Sequence, residues 1–395
     1  MLILPLKPAV RAELQNTLGT WLDSDEQQAS FDVMTSSFSN NSDPLPFVMP
    51  KPDFSSAACR KDLMRLQSLR NCLSDTFLKA QSHKAALEES AMTDAYEYHA
   101  ALLEFEKRGF PTTDDSHNGL VLVWKGAWPP HKAEQHATLL WDRACVTYNI
   151  VALLTSRAAD CSLTDRAACK QAVGHYQTAA GILTVLIDFC ASQNFATVDL
   201  STAMLQFWRA YCLAEGQTFV YRMAAMATDA KHATLAYLAQ SAFGLWNDAL
   251  RMAQEPRLES EVATAAKEWA TYCKANAMMA AAKAQYHMAV VHRLEHQWGA
   301  ELARLRECLE KLNACHDFLK SVAGDGVVDY TRRECQAIRP VVQDRRTEAD
   351  KDNYNIYQDK IPESNPDIPA KQLIKDSGGY TAAMLTPSTP LFVGL

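Results

Sequence analysis

The chain has 395 residues, 48% apolar and 9% aromatic, enough for one large or two ordinary globular domains and unlike a disordered chain. A formal charge of −7 without a basic stripe argues against a nucleic-acid binder. Eleven cysteines, an odd number with no CxxC pair, and no apolar run of the ~18 residues a membrane span needs point to a soluble, intracellular chain without a zinc site.

Residues 1–8 alternate weakly and read as an edge strand, and 10–22 as a short helix. Ser, Asn, Asp and Pro crowd 24–58, which reads as a long loop or insertion. Helices are expected over 60–80 and 82–108. "NGLVLVWKGAW", 118–128, is the one convincing strand, β-branched and aromatic after Asn-Gly and ended by Pro129-Pro130. "HKAEQH", 131–136, reads as a helix N-terminus, with His131 and His136 five apart and so on different helix faces. Almost everything to residue 354 then reads as helix, over 133–159, 165–193, 198–228, 230–254, 257–296, 298–323 and 329–354. The 14 glycines are few and alanines are many, which favours long helices over tight turns.

Two helices define the architecture. In 298–323, Trp298, Leu302, Leu305, Leu309, Leu312 and Leu319 follow the alternating spacing of one apolar seam. In 137–159 there are two stripes, Trp141, Cys145, Tyr148 and Ala152 on one and Leu140, Ala144, Val151 and Leu154 on the other. A helix apolar on two sides must be covered on two sides. One-faced and two-faced helices on short links predict a mainly α fold. We expect an elongated, curved, TPR-like helical solenoid with a small N-terminal β element.

No local motif carries chemistry. "HRLEH", His292 to His296, matches the HxxEH pattern of inverted zinc proteases, with Glu295 as a base. A solvated helix face explains it as well, because a third ligand and a sheet bordering a cleft are both missing from the sequence. There is no GxSxG, no GxGxxG and no phosphate loop, so no catalytic residue, cofactor or metal is expected.

Six segments, in order, resemble the Bro-one domain family, of the Alix, HD-PTP, Brox and rhophilin type. They are "VLVWKGAW" (121–128), "LLWDRACVTYNIVALLTSRAAD" (139–160), "HYQTAAGILTVLID" (175–188), "LAEGQTFVYRMA" (213–224), "WGAELARLRECLEKL" (298–312) and "KDNYNIYQDKIP" (351–362). The resemblance covers about 95–375 and implies one free-standing domain over 1–375, with 376–395 as a short tail. It implies that the stretch after Lys351 is an extended strap running back along the helices. Ile356 and Tyr357 would pack there, with Ile361 held extended by Pro362. Tyr357 stands at the family's recurrent tyrosine, a candidate phosphotyrosine or a packing residue with its hydroxyl at the surface.

The function implied is that of a non-enzymatic, monomeric adaptor. It would bind the C-terminal amphipathic helix of an ESCRT-III subunit of the charged-multivesicular-body type, in the cytoplasm and at endosomes. Membranes would be reached through partners. The family's patch falls on Val220, Tyr221, Met223, Thr234, Leu235 and Leu238, flanked by Asp165, Arg166 and Arg222. Leu238 matches the family's apolar anchor, whereas Thr234, Met223 and Arg166 replace an apolar anchor, a lysine and an aspartate. Leu235 and Leu238 also sit at helical spacing and read equally as core. Two rivals are a signalling or ambient-pH adaptor on the same fold and a metallohydrolase built on His292 and His296.

Overall fold

The computed structural model describes residues 2, 4–7, 9, 57–83, 89–107, 121–193, 195, 197–322, 326–388 and 391. The expected helix over 10–22 and nearly all of the 24–58 segment lie outside them. Helices α1 (Ala57–His83) and α2 (Glu89–Lys107) precede an antiparallel ribbon of β1 (Leu122–Lys125) and β2 (Ala133–His136). There follow α3 (Leu139–Asp160), α4 (Arg166–Gln193), α5 (Thr202–Ala225), α6 (His232–Ala253), α7 (Pro256–Glu261), α8 (Ala263–Leu294), α9 (Trp298–Ser321) and α10 (Asp329–Asp352). A π-helical turn, Asn353–Tyr357, closes α10, and a short α11 (Ala382–Leu385) comes last.

The ribbon corrects the sequence reading at 131–136, where a strand replaces the expected helix start. Gly126 N–H donates to Lys132 O (2.8 Å) and His131 N–H to Trp128 O (2.8 Å), and His131 takes a left-handed φ of 55°. This turn folds the chain back, so Glu134 lies opposite Trp124 and Gln135 opposite Val123. Pairing across a ladder thus overrides the weak strand propensity of Ala-Glu-Gln-His. Leu122 and Trp124 point inward, and Ala9 adds one isolated antiparallel bridge to Trp124. The N-terminal β element is therefore small.

Backbone contacts group the chain into two compact units. The first gathers Leu2, Leu4 and the described residues of 154–188 and 201–379; the second gathers those of 5–153, 189–200 and 380–391.

In the second unit, the two-striped part of α3 is buried on all sides from Trp141 to Leu153. Asp142 is fully buried and accepts from Arg70 Nε (3.1 Å) and Nη2 (3.0 Å), from Trp124 Nε1 (2.7 Å) and from the Tyr98 hydroxyl. Burial alone would lower the Arg70 pKa, but the adjacent Asp142 raises it, so the guanidinium stays charged. Lys7 forms a second buried centre, with Asp199 at 2.8 Å and Glu134 at 3.0 Å. Within residues 382–385 Met384 is buried, and its carbonyl meets His99 Nδ1 at 2.8 Å.

In the first unit, helices pack as successive antiparallel neighbours, with α5 against α6, α8 between α6 and α9, and α9 against α10. Ser201 caps α5, its hydroxyl accepting from Met204 N–H, and Pro256 opens α7 where its missing N–H costs nothing. The helix expected over 257–296 is two helices, because Val262 leaves helical geometry (φ −136°, ψ 44°). The α9 seam is buried as read at Leu302, Leu305, Leu309, Leu312 and Leu319.

Candidate functional site

Helices α5, α8, α9 and α10 enclose an apolar groove of about 250 Å³. Met279, Ala282 and Tyr286 come from α8, Cys308 and Leu312 from α9, Ile338 and Val341 from α10, and Tyr221 from the end of α5. Val341 is 57% exposed on its rim, on a helix otherwise rich in charge. Pro340 beside it offers no N–H to the carbonyl of Gln336. Lys283, paired with Glu334 at 2.8 Å, lies 5.4 Å over the Tyr221 ring. Arg222 lies 4.8 Å over Tyr330.

One end of the groove carries a relay of three side chains. Tyr221 Oη is 2.8 Å from His287 Nε2, and His287 Nδ1 is 3.0 Å from His232 Nδ1. Burial, then the neighbouring His232 and Lys283, push the His287 pKa down from 6.5 to about 4. Native His287 therefore stays neutral where an unfolded chain would take a proton. Between pH 6.5 and about 4 the unfolded state binds more protons, so stability falls as pH drops through that window. The expected loss on this account is roughly 1–2 kcal/mol at pH 5. Urea unfolding of wild type and His287→Gln at pH 7 and pH 5 should give a smaller pH difference in the variant.

The residues proposed from sequence separate into two groups. Tyr221 lines the groove, and Met223 and Thr234 are half-buried. Val220, Leu235 and Leu238 retain only 5%, 4% and 1% exposure, which corrects the expectation that Leu238 is an open anchor. The physical reason is the α6 stripe Leu235, Leu238, Ala242, Trp246, Ala249, Ala253, whose three- and four-residue steps make it the core face. Among the flanking residues, Asp165 caps α4, its carboxylate accepting from Ala168 N–H at 2.8 Å. Arg166 is exposed and Arg222 half-buried. The residues that sequence reasoning missed are Met279, Tyr286, Ile338 and Val341. Their only local signal is the apolar cluster Ile338, Val341, Val342 within the charged α10.

The strap exists, but it is anchored later than expected. Ile356 is 66% and Tyr354 81% exposed on the π-helical turn, so neither packs. Tyr357 stacks on Trp298 (4.0 Å between ring centroids, 12°), and Gln358 ends the turn in a left-handed conformation. Asp359 then accepts from Trp298 N–H (2.9 Å), and Lys360 O passes where a Cβ on Gly299 would stand at 2.3 Å. Only glycine fits there. Arg304 Nη2 donates to Pro366 O (2.6 Å), Lys371 N–H to Tyr237 O (3.0 Å) and Ser377 N–H to Gln177 O (3.1 Å). Gln217 is the hub: its Oε1 accepts from Leu373 and Ile374 N–H, and its Nε2 donates to Lys371 O at 2.9 Å. Ile374 is fully buried, and Ile368, at 7% exposure, packs with Ala236, Ala239 and Ala284.

The HRLEH match does not make a site. Helix α8 ends at Leu294, and His296 has a φ of 60°, so the two histidines do not share a helix face. His292 Nδ1 instead faces Gln297 Oε1 at 2.6 Å. Among the described residues no group of three or more His, Cys, Asp and Glu could hold a metal ion. No helix among them is long and apolar enough to cross a membrane.

Stacked helices, an apolar groove and a tying strap define a helical-repeat scaffold. A protein-family model for the BRO1-like domain matches residues 51–390, and the chain belongs to that family. Programmed cell death 6-interacting protein of Xenopus laevis is 26% identical over 317 residues, which is 78% of this chain and 33% of that protein. Vacuolar protein-sorting protein BRO1 of Gibberella zeae is 25% identical over 315 residues, 76% of this chain and 29% of that protein. The chain thus spans about a third of the length of these curated relatives. The solved complex of the ALIX BRO1 domain with CHMP4C shares the fold, with a TM-score of 0.74 at 19% identity, covering 100% of this chain and 99% of that one.

Proposed function

We propose that this chain is a non-enzymatic adaptor whose Tyr221–Val341 groove takes the amphipathic C-terminal helix of an ESCRT-III subunit, at endosomal membranes reached through partners. The observation that carries the reading is an apolar, open groove at the end of α5, adjoining the family patch, in a BRO1-like domain. The CHMP4C-bound relative supports the kind of partner. A helix laid in such a groove is read through side chains at i, i+3, i+4 and i+7. A short helix buries area at the low end for a specific interface, which suits micromolar affinity, on the order of −8 kcal/mol. In this reading the accessible anchors are Tyr221, Tyr286, Ile338 and Val341, with Met223 and Thr234 at the edge and Met279 buried in the floor. Tyr357, stacked on Trp298, has a packing role, and its modification is not needed for the groove to work.

Fluorescence polarisation with labelled ESCRT-III tail helices tests the proposal. Val341→Asp, at an exposed position, is expected to weaken binding at least tenfold with no change in melting temperature. Leu238→Asp should lower the melting temperature instead, because it buries a charge in the core. If no tail helix binds wild type, the groove serves a different adaptor role.

A further inference from the structure

The strap shows what the channel beneath it accepts. Residues 371–377 lie extended over α5 between α6 and α4, touching Tyr237, Gln217 and Gln177 in turn. Ile374 fills the space left by Gly216, where a Cβ would lie 2.6 Å from its Cδ1 and 3.4 Å from Tyr176. Two residues on, Asp376 accepts from Arg209 Nη2 at 2.8 Å, while Arg209 Nε donates to Thr184 Oγ1 at 2.7 Å.

The same helix faces continue beyond Asp376. On α5, positions 217, 213, 210 and 206 form one stripe, as do 177, 181, 184 and 188 on α4 and 237, 241, 245, 248 and 252 on α6. Past the strap these stripes wall an open groove of about 390 Å³, in which Ile187, Leu213, Leu245 and Met252 are the large apolar groups. It shares no lining residue with the Tyr221–Val341 groove. Its charges are nearly all spoken for. Arg209 is matched by Asp376, and Arg251 by Asp248 at 2.8 Å. Asp188 is exposed and has neither ion pair nor hydrogen bond among the described residues.

We propose that this groove binds an extended peptide that runs on in line with the strap. An aliphatic side chain enters between Ile187, Leu213 and Leu245, and a lysine or arginine two residues later pairs with Asp188. The two-residue step is the one the strap itself uses between Ile374 and Asp376, and extended chains repeat a face every second residue. The cation follows from the unpaired carboxylate.

The test is selection of displayed random nonapeptides on the intact chain, followed by polarisation measurements with the enriched sequence as a labelled synthetic peptide. The expected result is a consensus of an aliphatic residue followed at the second position by Lys or Arg. That peptide should bind Asp188→Lys at least tenfold more weakly, and replacing its basic residue by glutamate should restore binding to the variant. Asp188 is exposed, so melting temperature should be unchanged; Met252→Glu supplies a second, independent block. The proposal is overturned if no enriched peptide is weakened by Asp188→Lys and Met252→Glu, or if the weakened ones carry an acidic residue. Sedimentation showing self-association that Asp188→Lys abolishes would assign the groove to a second copy and overturn it equally.

Discussion

Asp142→Ala is expected to cost on the order of 3–5 kcal/mol, read as a lowered urea midpoint and melting temperature, since it leaves a buried cation without its counter-charge. Arg70 is 1% exposed, and its Nε and Nη2 both reach the Asp142 carboxylate. The same carboxylate takes the Trp124 indole N–H at 2.7 Å and the Tyr98 hydroxyl, so one truncation removes the acceptor of four donors on three side chains. Arg70 has other contacts, and Asp142 is the largest of the influences that raise its pKa. Asp142→Asn, which retains one acceptor and loses the charge, should fall between wild type and Asp142→Ala. If Asp142→Ala unfolds at the wild-type midpoint, the cluster is not what holds α1, α2, β1 and α3 together.

Gln217→Leu should free the strap without unfolding the helices. Gln217 is fully buried and serves the backbone of Lys371, Leu373 and Ile374 with one amide. Leucine fills similar space but can neither donate nor accept, and each buried group left unpaired costs about 1–3 kcal/mol. Water can reach the exposed Lys371 and Leu373, so the loss should come mainly through Ile374 and total roughly 2–4 kcal/mol. Amide exchange at Leu373 and Ile374 is expected to accelerate roughly a hundredfold, while amides of α8 and α9 keep their protection. Unchanged exchange at those two amides would show that Ile374 packing alone retains the strap.

Helices were readable in the sequence wherever a stripe of three- and four-residue steps had a core to face. The α9 seam and the doubly apolar α3 are the clearest instances, and both are buried as expected apart from the half-buried Trp298 and Leu140 at their starts. The strand at 133–136 was not readable, because its four residues owe their conformation to β1 across the ladder. Nor was the break at Val262, where apolar periodicity continues through a residue outside helical geometry. Periodicity gives the face of a helix but not what covers it, and so Leu235 and Leu238 could equally be core or anchor until α5 and α6 were seen together. The groove draws on positions from 221 to 342, which no local pattern connects. The strap was legible as a segment leaving its helix. Its grip was misplaced because Ile356 and Tyr357 are more conspicuous than Ile374.

The strap also sets the order of events at synthesis. Gln217 and its partner amide on Ile374 are 157 residues apart, and Thr184 and Asp376 are 192 apart. At ~5–20 residues per second, Gln217 on α5 leaves the ribosome roughly 8–30 s before Ile374, the residue that ties it. Until then Gly216 and the Gln217 amide that serves the strap stand uncovered, a greasy slot open to any passing extended chain. Nascent chains stalled short of residue 371 should therefore be the form most prone to clump or to be held by a chaperone.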